Sequence, residues 1–166
     1  MPDMLTPTQA LAFLPFVTVI GLYVAYSDLK YMKIPNTAVL ALLASYIIVG
    51  LIVLPLKTFG WGLAIGAIVL VIGFVLNAAG AMGGGDAKFG AAMAPYFVTG
   101  DIRIILALFA ACLLAAFVAH RIARNIPAVR SATPDWISWN HIKFPMGLAL
   151  SGTLIFYLLA QLRPLF

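Results

Sequence analysis

Five carboxylates are available to this chain, all of them aspartate: Asp3, Asp28, Asp86, Asp101 and Asp135. Asp28 and Asp86 each stand at the end of an apolar run, where an ionisable group is costly and is by default a functional one. Two carboxylates gathered in a low-dielectric site do not both ionise readily, so one keeps a proton while the other serves as a base toward water. That division of labour is the chemistry of aspartic proteolysis. The plainer reading is that each aspartate caps a helix or pairs with the lysine two residues on, Lys30 or Lys88. Positions i and i+2 do not face each other on a helix, which weakens the pairing version. Asp3 falls on an outer tail, Asp101 in an outer turn, and Asp135 in a basic loop where water and nearby arginine would solvate it.

Gly83, Gly84 and Gly85 run directly into Asp86. Glycine lets the backbone approach an extended peptide closely, which a protease requires beside its acids. A phosphate-cradling loop is the rival reading of a glycine run, but the Gly-Lys-Ser/Thr ending is absent and an anion beside Asp86 would be repelled. No Gly-x-Ser-x-Gly motif and no Ser/His/Asp order is present. His120 and His141 bracket the basic loop without a carboxylate or cysteine cluster, so they read as interfacial residues and no metal is expected. Cys112, the single cysteine, lies in an apolar run and reads as a buried thiol.

These groups must be positioned by helices in lipid. The 166 residues are 64% hydrophobic and 9% charged, with a mean hydropathy of +1.09, whereas soluble domains carry roughly 45–50% apolar and about 25% charged residues. The fold class expected is an all-α polytopic membrane protein. At about 20 residues per span, the apolar runs give six, approximately 11–26, 38–56, 61–79, 86–99, 102–119 and 145–162. The first is read as a retained helix, because Met1–Leu14 lacks the basic residues of a signal peptide and contains Asp3.

A polar turn, Ser27–Lys33, leads into Ile34-Pro35-Asn36, where Pro35 suits a helix start. Lys57 is expected to close the second helix. Gly62, Gly66, Gly73 and Asn77 fall near one face of the third, a small-residue pattern for close helix packing. The fourth has only about eleven apolar residues, Phe89–Thr99, or about 16 Å of a roughly 30 Å hydrocarbon core. Either it is short and buried among neighbours, or it begins inside the glycine loop with Asp86 below the membrane surface. Irregular backbone at that depth requires cover from protein or a wet cavity, so both options place a sheltered pocket near Asp86.

Ten Lys and Arg give a formal charge of +5, which helix-end anchoring explains without nucleic acid. Seven of them (Lys30, Lys33, Lys88, Arg121, Arg124, Arg130 and Lys143) collect on one side, against Lys57, Arg103 and Arg163 on the other. That asymmetry places the Asp28, Asp86 and 120–143 loops in the cytoplasm and both termini outside. Trp136 and Trp139 suit the membrane interface.

Ser27-Asp28-Leu29-Lys30 with Ile34-Pro35-Asn36, followed by Gly83-Gly84-Gly85-Asp86-Ala87-Lys88, resembles the paired signature of the type IV prepilin peptidases. The second motif is similar to the Gly-x-Gly-Asp of intramembrane aspartyl proteases. Lys143-Phe144-Pro145-Met146-Gly147 is similar to a weaker family pattern of Pro, aromatic and Gly. The resemblance implies a single membrane-embedded peptidase domain over 1–166 in a bacterial inner membrane. Such a peptidase would remove the basic leader of pilin precursors at the cytoplasmic face, with Asp28 and Asp86 as the catalytic pair and no cofactor. Gly83, Gly85, Lys30, Lys88, Pro35 and Asn36 would form the substrate-binding and structural loops around that pair. Prepilins with an apolar helix, the lipid bilayer and the pilus assembly machinery are the implied partners.

Longer family members add a cytosolic domain with cysteine pairs and methylate the new N-terminus. This chain has neither the length nor the cysteines, so it resembles the short CpaA/TadV-like form serving Flp-type pili, without methylation. Archaeal preflagellin peptidases share both Asp motifs and are the alternative branch. Presenilin-like proteases carry a Tyr-Asp pair that Tyr26-Ser27-Asp28 does not match. Two rivals come from other classes. One is a small ion-coupled transporter or channel with Asp28 and Asp86 along a cation path. The other is a structural subunit in which both are helix caps.

Overall fold

The computed structural model describes residues 5–162; Asp3, Arg163 and both termini, on which part of the expected topology rests, lie outside them. Helix α1 covers Pro7–Tyr31 and opens with a capping box in which Gln9 N donates to Thr6 Oγ1 and Thr6 N donates to Gln9 Oε1. It was expected to end near 26, yet it continues through most of the Ser27–Lys33 turn, because no Gly or Pro interrupts that stretch. Asp28 is therefore a buried helical residue. The helix stops at Met32, which takes a left-handed φ of 53° and donates its amide to the Asp28 carbonyl. Such a conformation is uncommon for a non-glycine residue. Ser27 Oγ pins the bend by donating to the Lys33 carbonyl at 2.9 Å.

Helix α2, Asn36–Val53, starts at the Pro35 cap, two residues ahead of the expected 38. It ends at Leu54-Pro55, so Lys57 does not close it; Lys57 lies in the first turn of α3, Leu56–Ala78. At this end of the molecule Gln9 Nε2 donates to the Val53 carbonyl, tying the start of α1 to the end of α2.

In α3 the buried residues are Gly62, Gly66 and Gly73, while Ile68, Val71, Phe74 and Val75 are exposed. Small residues inward and large apolar ones outward is an arrangement for lipid, where close backbone approach drives helix association. A Cβ at Gly62 would collide with the Tyr46 hydroxyl, one at Gly66 would meet Pro95 Cγ at 3.0 Å, and one at Gly73 would meet Ala87 Cβ at 2.9 Å. The packing role expected for these glycines is met.

Helix α4, Gly84–Met93, passes into a 3-10 turn at Ala94–Phe97 and so falls short of the expected 86–99 as a continuous helix. Pro95 supplies no amide for a regular helix, which accounts for the change. The turn is held from inside: the rings of Phe13, Tyr46 and Tyr96 meet at centroid separations of 5.1–5.9 Å, and Tyr96 Oη donates to the Leu42 carbonyl at 2.8 Å.

Asp101 caps α5, Ile102–Arg124, by accepting from the Arg103 amide, and the helix runs one turn beyond the expected 119. The basic loop contains a short helix, α6 at Pro127–Ala132, and a 3-10 turn at Ile137–Trp139. Helix α7 spans Gly147–Ala160. No strand occurs among the described residues. Helices α1, α2, α3 and α5 are long and apolar enough to cross a membrane. Helices α4 and α7, with 10 and 14 residues, are about 15 and 21 Å long.

The basic loop folds back onto the helix ends, which corrects the interfacial reading of Trp139 and His120. Trp139 is buried, stacked on His120 at 5.1 Å and on Trp136 at 5.5 Å, and Trp136 meets the edge of Tyr26 on α1. Cys112 is a buried free thiol, as expected.

Candidate active site

Helices α1 and α3 finish, and α2, α4 and α7 begin, around one cavity of about 1120 Å³. Asp28 and Asp86 both line it, delivered by different helices. The Gly80–Gly83 segment forms part of its wall, turning at Gly80, whose φ of +74° favours glycine, and held by Asn77 Nδ2 donating to the Met82 carbonyl. Irregular backbone thus faces the cavity that holds both carboxylates. Helix α4 is short and packed among its neighbours, as the first option for the fourth segment had it, and it begins inside the glycine run.

Asp28 is 5% exposed. Its Oδ2 accepts a 2.6 Å hydrogen bond from the amide of Gly147, the first residue of α7. Asp86 occupies the third position of α4 and is half-buried, with its carboxylate curled back over Gly83; a Cβ there would lie 2.6 Å from Asp86 Oδ2. Gly85 packs on Ile34, where a Cβ would approach to 3.3 Å, so the glycine run and the Ile34-Pro35-Asn36 turn are fitted to each other.

Gly83, Gly85, Pro35 and Asn36 line the cavity with the two aspartates, whereas Lys30 and Lys88 do not. Lys88 Nζ donates to Asn36 Oδ1 at 3.2 Å. Lys30 pairs with Asp135 at 2.8 Å, so the partner of Asp135 is this lysine and not a loop arginine. The hydrogen bond from Lys30 holds the Asp135 carboxyl below the usual carboxylate range. The cavity's own cations are Lys33 and Lys143, with His141 beside them. No cluster of three or more metal-ligating side chains occurs among the described residues.

Sequence reasoning missed the Gly147 amide as a partner of Asp28. A backbone donor has no side-chain signature, and 119 positions separate the two. It also missed Met32, whose left-handed turn nothing in its residue type announces.

The model of the type IV leader peptidase family matches residues 15–120. The chain belongs to the type IV leader peptidase family. Membership makes it a peptidase, and the outward apolar faces of its long helices make it a membrane protein. The segment matched to the type IV leader peptidases contains Asp28, the Ile34-Pro35-Asn36 turn and Asp86, while Lys143 and Gly147 lie beyond it. No curated protein and no solved structure matches the chain.

Proposed function

We propose that this type IV leader peptidase removes the basic leader of Flp-type pilin precursors at the cytoplasmic face of a bacterial inner membrane, using Asp28 and Asp86 as an aspartyl dyad. The observation that carries the reading is the shared cavity, in which two carboxylates from different helices converge beside a glycine-lined wall. Water between them attacks the peptide carbonyl and gives its proton to the carboxylate acting as base. The other aspartate, protonated, donates to the leaving amine.

The substrate's apolar helix docks from the lipid. An apolar groove of about 620 Å³ lies between α1, α5 and α7, lined by Gly21, Ala25, Ala115, Ala119 and Gly152. It adjoins the catalytic cavity: on α1, Leu22 lines the groove and Tyr23 the cavity, and on α5 Cys112 and Leu113 divide in the same way. A pilin helix in the groove would deliver its leader junction, in extended form, to the dyad. Binding energy comes mainly from this helix, since Asp135 is already engaged by Lys30 and offers the basic leader little. The pilus assembly machinery receives the processed product.

The test is to co-express the protein with a Flp-type prepilin and follow leader removal on a gel. Wild type cleaves; Asp28→Asn and Asp86→Asn, made separately, do not. Cleavage by either variant would overturn the two-carboxylate mechanism.

A further inference from the structure

Two glycines stand where side chains would strike the two carboxylates. Gly83 does so for Asp86 within a single motif, so close sequence neighbourhood accounts for it. Gly147 does so for Asp28 from the start of another helix, outside the segment matched to the family. A Cβ at Gly147 would lie 2.8 Å from Asp28 Cβ and 3.0 Å from Oδ2, both closer than ordinary van der Waals contact. The same residue's amide donates to Oδ2 at 2.6 Å in a buried environment. Contact and hydrogen bond therefore come from one residue, and both act on one carboxylate.

We propose that Gly147 is the positioning residue for Asp28: its amide engages Oδ2, its missing Cβ leaves the space the carboxylate fills, and Oδ1 remains the oxygen offered to the cavity. This rests on the dyad reading above. A buried carboxylate with no other side-chain hydrogen bond among the described residues would otherwise be free to rotate about χ2. One short bond to a rigid helix start removes that freedom. Helix α7 is itself well seated: Ala149, Leu150, Leu154 and Leu158 are buried, so the amide has a fixed address. The dyad is then a three-part device, with two acids from the matched segment and one backbone donor from beyond it.

The experiment compares Gly147→Ala with Gly60→Ala in the full-length protein, reconstituted with a Flp-type prepilin. Gly60 is the control, a helical glycine on α3 that lines neither the cavity nor the groove and where a Cβ meets nothing within 4 Å. Gly147→Ala is expected to lower kcat by about a hundredfold, the scale of an ångström-sized misplacement, with KM unchanged and with the midpoint of the pH–rate profile displaced. Gly60→Ala is expected to match wild type. A loss in Gly147→Ala that only scales the profile, leaving its midpoint in place, would assign a purely structural role and overturn the proposal, as would wild-type kcat. Asp28→Asn and Asp86→Asn run in the same series keep the two claims apart, since cleavage by either defeats the dyad whatever Gly147 does.

A spectroscopic arm does not depend on how well Gly147→Ala folds. Only two Met-Gly pairs occur in the chain, Met82-Gly83 and Met146-Gly147. Labelling with carbonyl-13C methionine and 15N glycine therefore isolates those two amides in a carbonyl-filtered NMR spectrum. One signal is expected to titrate with pH in wild type and to shift and stop titrating in Asp28→Asn, while the other responds to Asp86→Asn. If neither signal responds to Asp28→Asn, the Gly147 amide is not its donor.

Discussion

Lys30 on the last turn of α1 and Asp135 in the basic loop form an ion pair of 2.8 Å, two residues beyond Asp28 in the chain. With Trp136 against Tyr26, the pair fastens the loop to the helix that carries Asp28, while the Trp139 stack on His120 ties it to α5. Exposed pairs hold weakly and are screened by salt. Asp135→Asn is accordingly expected to reduce cleavage by a few-fold at low salt and by nothing measurable at high salt, with the Lys30→Asp/Asp135→Lys exchange restoring most of the loss. Because Lys30 depresses the Asp135 pKa, the pair's contribution is present above the unfolded carboxylate pKa of about 3.9 and is lost as pH falls through the lower folded value. The thermal-stability difference between wild type and Asp135→Asn should thus stay level from about pH 5 to 8. A difference that changed across that window would place the pair elsewhere in the energetics.

The glycines of α3 and α4 should separate by what stands opposite them. Gly62 faces the fully buried Tyr46 ring, which has nowhere to move, so Gly62→Ala is expected to cost about 1–3 kcal/mol through overpacking. Gly90 has nothing within 4 Å of a built Cβ. Gly90→Ala should be neutral or stabilising by up to about 1 kcal/mol, from the lower backbone entropy of alanine in a helix. Thermal unfolding in detergent checks both, and equal effects from the two would refute the packing account.

The helical architecture and the site motifs were legible because both leave marks in residue type. Apolar runs fixed six segments, and small residues at Gly62, Gly66 and Gly73 marked the packed face of α3. The two aspartates stood out as carboxylates bordering lipid. Helix ends were less legible. The polar stretch Ser27–Tyr31 reads as a turn by composition, but it contains no Gly or Pro, so the helix continues and buries Asp28. Lys30 could not be matched to Asp135 from sequence, because that pairing depends on the basic loop folding back. The shortness of the fourth segment was legible in its few apolar residues, but the 3-10 turn at Pro95 was not, and α7 spans only Gly147–Ala160 against the expected 145–162.

Cleavage should need no metal. A zinc or two-metal hydrolase requires three or more converging ligands; Asp28, Asp86 and His141 all line the cavity, but no cluster of three ligating side chains occurs among the described residues, and Lys33 and Lys143 there would repel a metal ion. Initial rates in the presence of a strong chelator are expected to equal those without it. Loss of cleavage on chelation, recovered by added zinc, would contradict an aspartyl mechanism.

The groove between α1, α5 and α7 gives the last test, since a docking surface and a catalytic site respond differently to crowding. Ala115 lines the groove without lining the catalytic cavity, and its side chain is exposed, so a larger residue there can be accommodated without repacking the core. Ala115→Leu places added volume where the pilin helix is to lie. It should raise KM several-fold for a full prepilin with kcat nearly unchanged, the signature of lost uniform binding. A short leader-junction peptide lacking the apolar helix has nothing to place in the groove, so its kcat/KM should be the same for variant and wild type. If both substrates slow equally, the groove is not where the helix binds and Ala115→Leu has disturbed the dyad instead.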